Sequence, residues 1–107
     1  MGMVTSNTAH EASLKFNSLQ GTVVFRLKAD HSLNWVRCEG SMESGSLSVY
    51  YDCGRGKELL VEVNEGAEVN SSASLLPEGV IYIIVETDGV CKKGDFRFST
   101  GITDIQY

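Results

Sequence analysis

The chain has 107 residues, 42% of them apolar and 21% charged, with 11 glycines, one proline and a net charge of −5. That length sets one domain as the ceiling, large enough for a core that needs no disulfide or metal staple. The acidic balance speaks against a nucleic-acid backbone or an anionic membrane surface as partner, since both select Lys and Arg faces.

Residues 1–13 are small and polar, without apolar periodicity, and read as a flexible arm ahead of a single domain over 14–107. They hold no secretory h-region, which makes the cytoplasm the default expectation unless a leader has been removed. From Leu14 onward the apolar period is two, which predicts strands at 14–19 and 22–29. In "TVVFRLKA" Val23, Phe25, Leu27 and Ala29 share one face, while Arg26 and Lys28 share the other. A strand over 33–38 follows, and carrying the same parity through Leu33 puts Trp35 in the core. "SLSVYYDC" sets Leu47, Val49, Tyr51 and Cys53 against Ser46, Ser48, Tyr50 and Asp52, a strand over 46–53. "KELLVEV" sets Leu59, Val61 and Val63 against Glu58, Leu60 and Glu62 over 57–63. Further strands are predicted at 72–76, 80–87 and 95–100, the last with Phe96 and Phe98 inward, and a ninth segment at 102–106 is open. Turn signals at Glu43-Ser44-Gly45, Asn64-Glu65-Gly66, Pro77-Glu78-Gly79 and Asp88-Gly89 punctuate them. No window carries helical spacing over three turns. The pattern predicts an all-β, antiparallel, jelly-roll-like sandwich of about eight strands.

One stretch breaks the alternation. Val80 to Val85 is apolar throughout. Six residues rise about 20 Å as a strand, whereas a spanning helix needs about 20 apolar residues, so this is no membrane span. A strand without alternation is expected to be covered on both faces. Ile81, Ile83 and Val85 then form one face, and Val80, Tyr82 and Ile84 the other. The second set needs a loop, the arm or an identical chain to cover it, which makes Val80, Tyr82 and Ile84 a candidate oligomer interface.

"LLPEGVIYIIVETDG" followed by "GDFRF" resembles the closing half of bacterial pre-peptidase C-terminal domains. Leu76, Pro77, Gly79, Tyr82 and Val85 match the turn and strand, and Gly94 and Phe96 match the last strand. "VVFRLKA" and "LSVYYDCGRGKEL" are similar to the opening and central strands of that family. The resemblance implies a small jelly-roll sandwich. Ser44 and Gly45 stand where the family has an acidic residue ahead of the central strand.

Catalysis is not expected. No G-x-S-x-G elbow occurs, and the histidines are His10 in the arm and His31 in a turn. A Cys38–His31 pair across one hairpin comes nearest to nucleophile and base, but a buried thiol and a turn histidine explain both residues more simply. "GRGKE" lacks the first glycine and the hydroxyl of a phosphate loop and reads as a hairpin turn. Cys38, Cys53 and Cys91, an odd and widely spaced set, read as free thiols. No cofactor is expected. Oxygen-rich strand ends at Glu86, Asp88 and Asp95 are candidates for Ca²⁺, and a solvated acidic rim accounts for the same residues. Tyr50, Asp52 and Tyr82 are candidate ligand contacts, with aromatic faces for stacking on a pyranose and a carboxylate for its hydroxyls. The expected function is a non-catalytic module that binds a carbohydrate or extracellular polymer, or else a self-associating subunit using 80–85.

Overall fold

The computed structural model of the protein describes residues 3–29, 34–54, 56–76 and 79–102. Seven strands appear in it: β1 (Met3–Asn7), β2 (Glu11–Leu19), β3 (Thr22–Ala29), β4 (Asn34–Asp52), β5 (Glu58–Val63), β6 (Glu68–Leu76) and β7 (Gly79–Ile102). All pairings are antiparallel, and no helix occurs among the described residues. The fold is a β-sandwich, as the alternation predicts, but two of its strands are far longer than expected.

β4 spans 19 residues and β7 spans 24. They pair along nearly their whole length, from Asn34 opposite Ile102 to Asp52 opposite Tyr82, with a register slip between Ser44 and Ser46. The expected turns at Glu43-Ser44-Gly45 and Asp88-Gly89 are therefore a bend that the two strands share. Gly45 and Gly89 take positive φ of 99° and 80° there, which a residue without a Cβ adopts readily. A bulge bends a strand without ending it, so each strand leaves one sheet and enters the other. The front sheet runs β3–β7–β4–β5 on residues 79–88 of β7 and 46–52 of β4. The back sheet runs β1–β2–β7–β4–β6 on the other halves of the same two strands.

The inward faces meet in one core. Leu14 and Phe16 of β2, Val36 and Cys38 of β4, and Phe96 and Phe98 of β7 come from the back sheet, against Phe25, Leu27, Val49, Val63, Ile81, Ile83 and Val85 from the front. Phe98 and Phe25 touch across the sheets with ring centroids 5.5 Å apart. Burial of each large apolar side chain contributes about 1.5–3 kcal/mol. The chain passes between the sheets at Gly21, where Thr87 holds the crossing: the Gly21 amide donates to Thr87 Oγ1 at 2.7 Å, and the Thr87 amide donates to the Gly21 carbonyl at 3.0 Å.

Residues 3–7, expected within an unpaired arm, form β1 against β2 in register from Met3–Phe16 to Asn7–Ala12. The reason is local polarity without core demand: an edge strand needs hydrogen bonds from one neighbour and no buried face, so its sequence shows no apolar period. Asn7 then clips the front sheet. Its amide nitrogen donates to the Arg26 carbonyl at 2.7 Å and its oxygen accepts from the Arg26 amide at 2.9 Å.

Three further expectations change. Trp35 is on the outer side of the back sheet, because Val36 and Cys38 point inward and parity alternates. Leu59 is 51% exposed, because a bulge between Val49 and Tyr50 sets it beside Tyr50 on the outer face. Strand 80–85 is central, between β3 and β4, and among the described residues only one of its sides is fully covered: Ile81, Ile83 and Val85 are fully buried while Tyr82 is 44% exposed. His31, Pro77 and Glu78 lie outside the described residues.

Candidate functional site

The sandwich presents two outer faces with different chemistry. On the back sheet, β4, β7 and β6 lie side by side in register. Glu39 is opposite Arg97 on one flank and Asn70 on the other, and Ser41 is opposite Asp95 and Glu68. These six side chains, with Gly40 and Val69 between them, line an open trough of about 640 Å³. That volume is in the range of small-molecule sites. Lys15 of β2 stands opposite Asp95 and Ser13 opposite Arg97, so polar character continues across the sheet.

Beyond one end of the trough, on the same face of β4, come Arg37 and Trp35. Arg37 bridges to Glu39 at 3.9 Å, and its guanidinium carbon sits 5.0 Å from the centre of the Trp35 ring. The indole lies across Gly101, where any Cβ would collide with it. A bare backbone therefore supplies the flat bed for the one tryptophan of the chain. Four residue steps along the strand separate Trp35 from Glu39, about 13 Å.

The front sheet brings together Tyr50, Asp52 and Tyr82, the expected ligand contacts. Tyr82 is opposite Asp52 on β4 and Arg26 on β3, and Tyr50 is opposite Ile84. The stacking surface is taken, however. Lys57 Nζ stands 4.3 Å from the Tyr50 ring centre and donates to Glu86 at 2.6 Å. That hydrogen bond, together with the negative charge of Glu86, holds the Lys57 ammonium above its ordinary range. Around these lie Val24 at 55% exposure and Leu59 at 51%. This face is greasy where the trough is polar.

Glu86, Asp88 and Asp95 do not form a Ca²⁺ cage. Glu86 is tied to Lys57 on the front sheet, Asp88 is opposite Ser46 at the bend, and Asp95 lines the trough on the back sheet. No group of three or more His, Cys, Asp or Glu side chains suited to a metal occurs among the described residues. The bend between 88 and 95 carries the chain from one layer to the other, which separates residues that sequence places close together.

The "CGRGK" segment joins β4 to β5, with Gly54 and Gly56 at φ of 105° and 102° and the Gly54 amide donating to Asp52 Oδ1 at 2.8 Å. It lies between strands, with no helix end to supply a phosphate cradle.

All three thiols are free. Cys38 and Cys91 are fully buried. Burial pushes the Cys38 thiol up to about 12 from an ordinary value of 9.0, with the neighbouring Glu39 charge adding to the rise. Burial raises Cys91 as well, and its thiol donates to the Ser46 carbonyl at 3.1 Å. A raised folded pKa means that the folded state holds its proton more tightly than the unfolded chain. The associated stability is present in full below about pH 9 and is lost as pH rises toward about 12. Urea titrations across that window are expected to lose stability at up to about 1.4 kcal/mol per pH unit from this one thiol. Cys38→Val, which keeps the packing, is expected to flatten the loss by that amount; an unchanged slope would contradict the assignment.

An antiparallel sandwich with two continuous central strands and a polar trough across one outer face is the class these features define. No family model matches the chain, and no curated protein sequence matches it significantly. Solved structures share the fold. The carbohydrate-binding module TmCBM61, in complex with beta-1,4-galactotriose, superposes with a TM-score of 0.55 at 17% identity, over 96% of this chain and 73% of that one. PliG of Aeromonas hydrophila, a periplasmic inhibitor of g-type lysozyme, superposes with a TM-score of 0.54 at 18% identity, over 87% of this chain and 88% of that one.

Local sequence patterns do not single out Glu39, Ser41, Glu68, Asn70 and Arg97 as a site. Part of the signal is present: each pair, Glu39/Ser41, Glu68/Asn70 and Asp95/Arg97, is spaced by two, as on the wet face of a strand. What no local pattern shows is that the three pairs are neighbours.

Proposed function

We propose that this chain is a non-catalytic binding module that takes a carbohydrate in the trough of the back sheet. The observation that carries the reading is the trough itself, lined by planar groups that donate and accept in pairs. Sugar hydroxyls both donate and accept, and vicinal hydroxyls come in pairs. Carboxylates of Glu39, Glu68 and Asp95 accept with two oxygens, the Arg97 guanidinium donates as a fork, and the Asn70 amide does both. Three carboxylates against one guanidinium disfavour uronic-acid or sulfated chains and suit neutral sugars. TmCBM61, of the same fold, holds beta-1,4-galactotriose, which supports the class of ligand without identifying the sugar.

The test is retention on an array of neutral oligosaccharides, followed by titration of those retained. Asn70→Ala and Arg97→Ala are each expected to weaken binding by about 10–100-fold, the effect of losing one hydrogen-bonding group to a polar ligand. Their melting temperatures are expected to stay within a few degrees of the parent, as both residues are exposed. Tyr82→Ala, on the opposite face, is expected to leave binding unchanged. Retention of no glycan, or loss on Tyr82→Ala with none on Asn70→Ala or Arg97→Ala, would move the site elsewhere.

A further inference from the structure

The front sheet carries an outer face that no described residue covers. Across it, in register, run two rows: Val24, Ile84, Tyr50 and Leu59, then Arg26, Tyr82 and Asp52. Val24, Leu59 and Tyr82 expose 55%, 51% and 44% of their surface. Single exposed apolar residues are ordinary, but a contiguous set crossing every strand of one sheet marks an interaction surface. It is distinct from the polar trough, which lies on the other sheet.

The order of side chains within the second row identifies the occupant. It begins with a cation on β3, has an aromatic on β7 in the middle, and ends with an anion on β4. Rotation by 180° about an axis running along β7, above the sheet, reverses each row and keeps its height. Arg26 of one copy then faces Asp52 of the second, twice over, and Tyr82 meets Tyr82 at the centre. In the neighbouring row Ile84 meets Ile84, and Val24 comes to lie over the Lys57–Tyr50 pair. Glu86 would meet its own copy, but each is already bonded to Lys57 at 2.6 Å. Neither Arg26 nor Asp52 is in an ion pair within the chain among the described residues. We infer that this face closes a two-fold homodimer, sheet on sheet, held by reciprocal Arg26–Asp52 pairs around a Tyr82 centre.

The two-fold overlays β3, β7 and β4 of the two copies and leaves β5 at the margin. Three strands spaced by about 4.8 Å and seven residues rising about 3.3 Å each give a contact of roughly 14 by 23 Å in plan. That is smaller than the roughly 800 Å² per partner of a standard interface and is the scale of a weak, reversible association. Aligned sheets packed face to face at about 10 Å are a common way to bury such a surface, and an isologous contact closes on itself without forming filaments. Aromatic residues at the centre with charges toward the rim are the usual composition of such contacts.

Analytical ultracentrifugation of the full chain tests this. The native protein is expected at twice the 11.7 kDa chain mass in the micromolar range. Arg26→Glu and Asp52→Lys, each alone, juxtapose like charges in both symmetric contacts and are expected to weaken the dimer by on the order of 100-fold, giving monomers. An equimolar mixture of the two single variants is expected to return to the dimer mass. In the mixed dimer one contact sets the introduced carboxylate at position 26 against the introduced ammonium at position 52, and the other keeps the native Arg26–Asp52 pair. Recovery on mixing also shows that neither variant had simply misfolded. A native monomer at about 100 µM, well above the micromolar range in which the dimer is expected, overturns the proposal. So does a single variant that stays dimeric, a mixture that stays monomeric, or a native monomer that pairs through this face with some other protein. Glycan retention by the single variants reads the trough separately, so the two readings fail independently.

Discussion

Replacing Phe98 with alanine is expected to lower stability by about 3–5 kcal/mol, the range for an aromatic side chain removed from a packed core. Phe98 is fully buried on the back-sheet half of β7, and its ring meets Phe25 of the front sheet at 5.5 Å. The pair is a rivet between layers, so truncation removes buried area, the ring–ring attraction of about 0.5–1.5 kcal/mol and the packing of two sheets at one point. Against a net stability of about 5–15 kcal/mol the change is a large fraction. For a domain of this size it corresponds to a fall in melting temperature of about 15–30 °C. Thermal and urea unfolding followed by circular dichroism measure it. A loss below about 1 kcal/mol, well short of the cavity range, would mean that Phe98 does not stand between the sheets.

The second large effect is expected at the bend. Gly45 has φ of +99°, and a Cβ there would lie 2.8 Å from both the Cys91 Cα and the Val90 carbonyl oxygen. Backbone atoms of the partner strand cannot move aside as a flexible side chain would. Gly45→Ala therefore combines backbone strain of about 1–3 kcal/mol with overpacking of about 1–3 kcal/mol. Gly54 separates the two contributions, since its φ is +105° but no atom lies within 4 Å of its Cβ position. Gly54→Ala is expected to show the strain alone, and Gly45→Ala to exceed it by at least about 1 kcal/mol, the lower end of the overpacking range. Equal losses in the two variants would show that the bend has room that the observed approach of β7 denies.

The inner faces of this protein are legible in the sequence. Phe25, Leu27, Val49, Val63, Phe96 and Phe98 alternate with polar residues, and each is buried as the period of two requires. Where a local signal competes with a tertiary one, the local pattern misleads in definable ways. Glu43-Ser44-Gly45 carries the chemistry of a turn, yet β4 continues through it, because pairing with β7 on both sides of a bulge holds the strand together. Val80 to Val85 lacks alternation, which by itself implies burial on both faces. Its outer side is instead open among the described residues, with Val80 and Ile84 half-buried and Tyr82 exposed. Trp35 falls inward only if parity is carried across the link from β3 to β4, and parity is not transmitted through a connection.

The candidate site shows the same division more sharply. Tyr50, Asp52 and Tyr82 have the chemistry of ligand contacts, and the fold does assemble them. It does so with Lys57 over the Tyr50 ring and with exposed aliphatic neighbours that suit a protein surface better than a sugar. Glu39, Glu68, Asn70 and Arg97 carry no such mark, because each, taken alone, is an ordinary outward residue of a strand.

By itself, then, the sequence determined the strand content, the antiparallel all-β class and the side of most strands that meets the core, because side-chain direction along a strand follows from steps of one residue. The tertiary structure alone decided which strands are neighbours, that β4 and β7 run on from one sheet into the other, and that residues near 40, 69 and 96 share one trough. Register between strands is a non-local quantity: it is set by the summed burial and hydrogen bonding of segments far apart in the chain, and no short window of sequence contains it.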